Sequence, residues 1–578
     1  MRRITIPLLA LLLAAAPACA QDLAAFLPGD TLLALGISRL NANQDKLQGF
    51  LDKYEELGVG EALEALMQEG EDELPEDATG ALDGIQQDLK GLSVFDLVGQ
   101  DAVVALSASP FDPVPSLLFL SRLSHAAAGR FDKVVADLAA SADTHMQTLQ
   151  ESGTTFYVLP QSDTSSPLQA VAFAKAGNLL VVASKPDALR GVLRLRNGSQ
   201  EPSFVSGEGY RQVFGPLGSG NFRYYVDYAQ IAKVAQPFTQ GIGLDPLVKR
   251  LVSAFATAGR VGGVLRLTDA GYESESFQAV DAQGGDEALY TLLTAPARAD
   301  LGTTAFVPAD ALAYSSSTVD LSGWWGYLNK LSTTVPQLGS DLNSLVRSFV
   351  GVDLQAVLFD WAGSHVSTVT VNAAAPAKPG MPAENLLGDF VYLIEAVDEE
   401  AAAQGLQTLF ENVGRQLAAM SSATGGAPAD IASESEVAGV TVHSYDISAG
   451  LQLSYALADG YALIATSPAA MRAVLQAQAA PGSKVRDLVE ELPGDATSVT
   501  YTDSRAVLRS SARQLGSQIQ LMAGLSGASN LDFDAVSRAS NAVEEFLRYV
   551  AGRAGISLGY GTRGAEGIYG HSSTKVNW

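Results

Sequence analysis

The sequence predicts an α+β protein of two tandem homologous halves, each mainly antiparallel sheet with helices packed on one face. Three observations lead there: an internal repeat that keeps its order, short apolar runs joined by turn residues as in hairpins, and long stretches with apolar residues at helical spacing. The repeat is clearest at Phe26-Leu27-Pro28-Gly29-Asp30-Thr31, which returns as Phe306-Val307-Pro308-Ala309-Asp310-Ala311. In both copies proline fixes φ, the acidic residue suits a turn or cap, and a run able to pair as a strand follows. Three further stretches return in the same order. Phe95-Asp96-Leu97-Val98-Gly99 matches Phe359-Asp360-Trp361-Ala362-Gly363, Phe173 to Leu193 matches Tyr455 to Leu475, and Gly259-Arg260-Val261-Gly262 matches Gly552-Arg553-Ala554-Gly555. The expected halves are residues 21–296 and 297–578, with the junction near Ala295 to Gly302.

Taken in order, the first half begins with a strand near Thr31 to Ser38 and a helix with Leu47, Phe50, Leu51 and Tyr54 on one face. Glu69 to Asp77 is an acidic turn region that lacks the ligand spacing and glycine of a calcium loop. Strands at Ala102 to Ser107 and Ser116 to Ser121 precede a helix with Phe131, Val134, Val135 and Leu138 on one face. Strands at Thr154 to Leu159, Leu168 to Ala174 and Leu179 to Ala183 lead to a helix opened by Pro186. Asn221 to Tyr228 reads as a strand, Val248, Leu251, Val252 and Phe255 as one helix face, and Val261 to Leu267 with Tyr272 to Phe277 as closing strands. The second half repeats this order, with Leu406, Leu409, Phe410 and Val413 in the place of the Phe131 helix. Ala373 to Glu384 and Ser421 to Glu436 read as surface loops, because such composition buries too little to offset ordering entropy. Leu492-Pro493-Gly494-Asp495-Ala496-Thr497 repeats the opening motif before a strand, Ser498 to Thr502, and a helix with Leu508, Ala512, Leu515, Ile519 and Met522. Gly215 to Ser219 is its degraded counterpart, so each half reads as two related strand-helix-hairpin units.

Met1-Arg2-Arg3, the apolar run Ile4 to Ala16 and Ala18-Cys19-Ala20 have the layout of a secretory signal peptide, with cleavage expected after Ala20. The run falls short of the roughly 20 residues of a spanning helix. The alternative is a lipoprotein anchored at Cys19, although Ala16-Pro17-Ala18 lacks the leucine usual three positions before such a cysteine. Cleavage leaves 558 residues, removes the only cysteine and moves the formal charge from −26 to −28. A mature chain without thiols has no disulfide and no cysteine-held metal, and depends on core burial. Its composition, 47% hydrophobic and 17% charged, supplies that core. The acidity argues against nucleic acid as a partner and against electrostatic docking on anionic lipid.

No reaction is legible. None of the five histidines, His125, His145, His365, His443 and His571, stands at metal-pair spacing, and there is no His-Glu-x-x-His. His365 follows the repeated Phe359-Asp360 motif, where a His-carboxylate pair is conceivable. Its first-half counterpart is Asp101, which favours a strand-start histidine. There is no Gly-x-Ser-x-Gly elbow and no phosphate loop followed by Lys-Ser/Thr, and Gly241-Ile242-Gly243 lacks the third glycine of a dinucleotide site. The recurring Asp30, Asp310 and Asp495, like Asp96 and Asp360, read as turn and cap residues that each unit keeps to close its own fold. Trp324, Trp325 and Tyr327 begin a helix and read as core, with a binding patch as the alternative. Trp578 ends the chain as an aromatic ends outer-membrane barrels, but the long amphipathic helices argue against a barrel. No catalytic residue, cofactor-binding residue, metal ligand or cofactor is assigned.

The Leu27-Pro28-Gly29-Asp30-Thr31 opening before a strand and helix, the signal peptide and the tandem halves together resemble a bacterial exported family known only as domain-of-unknown-function family 3352. The resemblance spans most of the mature chain and implies no activity, substrate or cofactor. The expectation is a non-enzymatic exported cell-envelope protein, periplasmic or extracellular, with no spanning segment in the mature chain. It would bind an envelope partner protein or an apolar, lipid-like ligand between its two pseudo-symmetric halves. The alternatives are an exported hydrolase with an unrecognised site of Asp, Ser, Tyr and His, and a structural surface or assembly protein. The sequence sets no oligomeric state.

Overall fold

The structure is a computed structural model and describes residues 21–62, 92–109, 112–140, 146–160, 170–239, 245–295, 298–334, 340–371, 389–423, 432–448, 451–480, 484–512 and 533–578. It is α+β, with a large antiparallel sheet. The first ten strands are β1 (Thr31–Ser38), β2 (Asp101–Ser109), β3 (Asp112–Arg122), β4 (Gln147–Glu151), β5 (Thr154–Pro160), β6 (Ala170–Ala176), β7 (Leu179–Ala183), β8 (Phe222–Asp227), β9 (Arg260–Thr268) and β10 (Gly271–Ala279). The next ten are β11 (Ala313–Thr318), β12 (Ala362–Val371), β13 (Asp389–Ala396), β14 (Ala432–Val437), β15 (Val440–Ser448), β16 (Leu451–Ala458), β17 (Tyr461–Ala465), β18 (Ser498–Asp503), β19 (Ala554–Gly564) and β20 (Gly567–Val576).

Every pairing among these strands is antiparallel. From one edge the strands run β4-β5-β6-β7-β3-β2-β1-β8-β9-β10. There β10 pairs with β20 along its whole length, Gly271 opposite Lys575 through Ala279 opposite Gly567. The sheet continues β20-β19-β18-β11-β12-β13-β17-β16-β15-β14 to the far edge. Adding ten to each strand number in the first run gives the second run read from its outer edge.

The opening motif makes the turn that its residues suggest. The amide of Thr31 donates to the Pro28 carbonyl at 3.2 Å, as Ala311 does to Pro308 at 3.1 Å and Ala496 to Pro493 at 3.1 Å. Each turn delivers the chain into β1, β11 or β18. Gly29 fits closely at the first copy, where a Cβ would lie 3.0 Å from the Pro202 carbonyl oxygen that its own amide bonds and would press the two segments apart.

Helices pack on both faces of the sheet, which corrects the expectation of one covered face. Along β7, Leu179, Val181 and Ala183 join a core with Leu189, Val192 and Leu193 of the helix Pro186–Arg196. The alternate residues Leu180 and Val182 turn to Ala127, Ala128 and Phe131 of the helix His125–Ala140. The second run does the same. Leu393 and Leu463 meet Met471, Val474 and Leu475 of the helix Pro468–Gln478, while Ile394 and Ala462 meet Leu406 and Phe410 of the helix Glu399–Ala423. The physical cause is visible in Leu179-Leu180-Val181-Val182-Ala183, an unbroken apolar run that only a doubly covered strand can bury.

Other differences are local. Ala432–Val437, expected within a loop, is edge strand β14, whose Ser and Glu side chains stay exposed and need no core. The strand Gln147–Glu151 has too few apolar residues to show a period, while the helix Glu208–Phe214, not expected from sequence, buries Tyr210, Val213 and Phe214 at helical spacing in only two turns. Two helices, Tyr228–Thr239 and Asp245–Ala258, stand where one was expected. The acidic stretch 69–77, the loop 373–384, the Gly241 to Gly243 segment and the expected signal peptide lie outside the described residues. Among the described residues, no helix is long and apolar enough to cross a membrane.

Around the β10–β20 pairing, the helix Gln44–Glu56 meets the helix Phe533–Arg553 through aromatic edges: Phe50 on Tyr549 at 5.9 Å and Tyr54 on Phe546 at 5.5 Å. Arg553 lies 3.8 Å above the Tyr549 ring centroid, and Trp578 donates from Nε1 to the Thr268 carbonyl at 2.7 Å. Residues from both ends of the chain therefore hold the middle of the sheet together.

Candidate binding site

The opening motif lines a cleft of about 610 Å³ at the start of β1, the end of β8 and the start of β9. Pro28 to Thr31 form one wall, and Glu201, Pro202 and the start of the helix Glu208–Phe214 form another. The two walls are pinned together, since the amide of Gly29 donates to the Pro202 carbonyl (3.0 Å) and that of Phe204 to the Leu27 carbonyl (2.9 Å).

The floor is aromatic. Phe204, Tyr210 and Tyr225 meet edge to face, Phe204 to Tyr210 at 5.0 Å and Phe204 to Tyr225 at 4.8 Å. Strand alternation explains the arrangement: Arg223, Tyr225 and Asp227 of β8 point to one face, where the helix Glu208–Phe214 covers them. Asp227 ends the strand, nearly buried at 8% exposure. It accepts from Tyr225 Oη at 3.1 Å, from Arg260 Nε at 2.9 Å and, as the cap of the next helix, from the Gln230 amide at 2.9 Å. Burial, then the Asp227 charge, push the Tyr225 hydroxyl far above its usual range, so it stays a neutral donor. Burial would lower the Arg260 guanidinium, but Asp227 outweighs it and holds it above its ordinary value. Polar contacts at the base thus fix an aromatic floor beneath a rim that carries Asp30, Glu201 and Glu208. The rings are nearly buried and offer the cleft only their edges, and none of its groups is both exposed and activated as a nucleophile.

A second cluster surrounds His365. Its Nδ1 lies 2.9 Å from Glu395 Oε2 and its Nε2 3.1 Å from the Arg298 carbonyl, while Tyr461 donates to Asp300 beside it. The His-carboxylate pair conceivable from sequence therefore exists. Its counterpart explains it: Asp101 faces Arg122 between β2 and β3, with Oδ2 3.2 Å from Nε, at the place where His365 faces Glu395 between β12 and β13. One cross-strand ion pair is thus made twice with its charges exchanged, which is what a sheet-registering pair does.

The other described residues singled out from sequence make local contacts, and His145 lies outside the described residues. Asp96 forms a capping box with Ser93 and accepts from Ser124 Oγ at 2.9 Å. Asp360 accepts from Gln355 Nε2 at 2.6 Å, and Asp310 and Asp495 are exposed beside their turns. Trp325 stacks on Phe359 at 4.9 Å and buried Tyr327 donates to Asp286 Oδ2 at 2.9 Å. His443 stacks on Tyr455 at 4.7 Å and His571 lies 5.4 Å from Tyr560. Among the described residues, no three His, Cys, Asp or Glu side chains are grouped to hold a metal ion. Sequence reasoning placed Tyr225 in a strand and Arg260 in a repeat but assigned neither, nor Asp227, to a site. The signal available was the Gly259-Arg260 repeat together with an aspartate closing the strand before each helical pair.

The family model described as "Protein of unknown function (DUF3352)" matches residues 24–536 of the chain. No curated protein and no solved structure matches it.

Proposed function

The chain belongs to that family, and from that premise we propose that it is a non-enzymatic exported binding protein of the cell envelope, built by duplication of an α+β half. Two features support the duplication: the shared strand order of β1–β10 and β11–β20, and the turn made alike by Pro28, Pro308 and Pro493. The halves are residues 21–296 and 297–578. Export rests on the N-terminal sequence, with cleavage after Ala20. Leu23, Ala24 and Leu27 are fully buried, so the folded body begins within three residues of that point. A lipid on Cys19 would leave almost no tether.

The observation that carries the binding reading is the aromatic-floored cleft at the opening motif. It lies within residues 28–260, so this reading puts an apolar, lipid-like ligand inside the first half rather than between the halves. Native mass spectrometry of the mature protein from its source envelope tests it. The expected result is a bound small molecule that disappears in Gln230→Trp, which fills the cleft from its helix side. A bare wild-type monomer overturns it. The His365–Glu395 pair keeps a hydrolase as the second reading. A broad ester and peptide substrate screen giving activity that His365→Ala abolishes would favour that reading instead.

A further inference from the structure

A second cavity, of about 250 Å³, opens at the opposite end of β1, β8 and β9 on the same face of the sheet, lined by Ser38, Arg39, Asp101, Asn221, Arg223 and Arg266 among others. Three arginines converge there in a chain whose Asp and Glu outnumber Lys and Arg by 63 to 37. Asp101 is already paired with Arg122, and Arg266 with Glu273 at 3.0 Å. Two cations remain. Arg223 is only 6% exposed, donates to the Tyr210 hydroxyl at 3.2 Å and lies over the Phe214 ring. Among the described residues no carboxylate stands within ion-pair distance of it, and the same holds for exposed Arg39. Arg39 occupies the left-handed region, φ 53°, although it is not glycine, and the Gln100 carbonyl takes its amide at 2.6 Å. A buried guanidinium without a counter-charge opposes folding, so its presence needs a reason outside the fold.

The other run of strands supplies an internal control. Arg223 stands opposite Gly36 between β8 and β1. The corresponding residue opposite Ser316, between β18 and β11, is Val499, 2% exposed. Arg39 follows Ser38, whose partner is Asp101; Val319 follows Thr318, whose partner is His365. Arg266 faces Glu273 and Thr562 faces Tyr569. The same architecture therefore closes with two valines and a threonine, and the arginines are not needed to build it.

We propose that this cavity binds a phosphate-type dianion, as inorganic phosphate or as the phosphate of a monoester, between the guanidinium groups of Arg39, Arg223 and Arg266. The two uncompensated cations match a dianion's charge, guanidinium forks match its oxygens, and the volume leaves room for a short substituent. The proposal stands apart from the cleft reading, since different residues line the two sites.

Isothermal titration of the mature protein with inorganic phosphate and with glycerol phosphate tests it, using Arg39→Val and Arg223→Val, the residues of the second run, and Arg486→Val as a control. Arg486 pairs with Glu490 at the surface, and both side chains are exposed. The expected result is one site per chain, weakened at least tenfold in each of the first two variants and unchanged in the third. Without phosphate, Arg223→Val melts at or above the wild-type temperature, because it removes the uncompensated charge. Titration by inorganic phosphate assigns the source to a free solute; sedimentation only with phosphatidic acid vesicles, lost in both variants, assigns it to a lipid headgroup. Absence of binding to all three probes overturns the proposal, as does binding that Arg39→Val and Arg223→Val leave intact. A lowered melting temperature in Arg223→Val overturns its premise.

Discussion

Replacing Asp227 by asparagine separates two jobs that one carboxylate performs. Its Oδ1 caps the helix Tyr228–Thr239 through the Gln230 amide, a bond that asparagine reproduces nearly as well. Its Oδ2 neutralises Arg260 and accepts from Tyr225, both in a largely buried setting. Breaking a buried pair by removing one partner costs about 3–5 kcal/mol. Arg260 keeps its bond to Gln212 Oε1 at 3.1 Å and a side chain 27% exposed, so water recovers part of that and about 2–3 kcal/mol is expected. Asp503 is the built-in comparison. It closes β18 at the corresponding place and caps the next helix through the Ala506 amide at 2.9 Å. The residue opposite it on β19 is Ile556, where Arg260 stands opposite Asp227, and Arg553 lies over Tyr549 and Phe50. Asp503→Asn should therefore cost less than about 1 kcal/mol. Urea unfolding followed by far-ultraviolet circular dichroism measures both. All four tryptophans lie after residue 323, so fluorescence reports poorly on the Asp227 region. With an unfolding slope of about 3 kcal/mol per molar urea, Asp227→Asn lowers its midpoint by on the order of 1 M. Equal losses in the two variants would refute the assignment of the cost to the Arg260 pair.

Three other outcomes follow from the geometry. Burial alone would lower the His365 imidazole, but the Glu395 hydrogen bond, the Arg298 carbonyl and the charges of Glu395 and Asp300 raise it above its ordinary value. Its stabilising contribution is complete below about pH 6.5 and is lost as pH rises through the raised value, so a stability gap between wild type and His365→Gln of under about 1 kcal/mol should shrink from pH 6 to pH 9 in thermal melts; a gap that widens would refute the sign. Trp361 is 1% exposed and donates from Nε1 to the Val357 carbonyl at 2.8 Å, so Trp361→Ala should cost about 3–5 kcal/mol in chemical unfolding. At Gly271 (φ 145°) a Cβ would fall 2.0 Å from the Thr574 carbonyl oxygen across the β10–β20 pairing, so Gly271→Ala should raise amide hydrogen exchange in residues 271–279 and 567–576 before any other strand.

The sequence carried the positions of most strands, because turns such as Pro28 to Thr31 and apolar runs such as Leu179 to Ala183 are local signals. What it concealed was non-local. The covering of both sheet faces depends on which helix reaches which side. In sequence, Leu180 and Val182 look no different from Leu179 and Val181, which serve the core on the other face. The candidate sites were harder still. Asp227 and Arg260 are separated by a pair of helices, and Arg223 signals itself only when set against Val499, a comparison that requires the register of β8 and β18. The His365–Glu395 pair was half legible: the sequence favoured a strand-start histidine from its Asp101 counterpart, and the exchange of charges with Asp101–Arg122 fits that place in the sheet.

On the duplication reading, the pairing of β10 with β20 also answers a physical difficulty. A single ten-strand half would end on two edges, one of them a nine-residue strand with a full row of unpaired amides and carbonyls, open to pairing with another chain. Joining two halves through those strands buries both long edges against each other, and Gly271 and Gly567 allow the two hairpins to close without a Cβ in the way. The edges that remain among the described residues are β4, five residues long, and β14, whose Glu434 and Glu436 are exposed. Short length and like charges discourage further addition of strands. Once the long edges are closed, the two halves no longer need the same surface. Their divergence at Arg39, Arg223 and Arg266 against Val319, Val499 and Thr562 is then the place where binding should be sought.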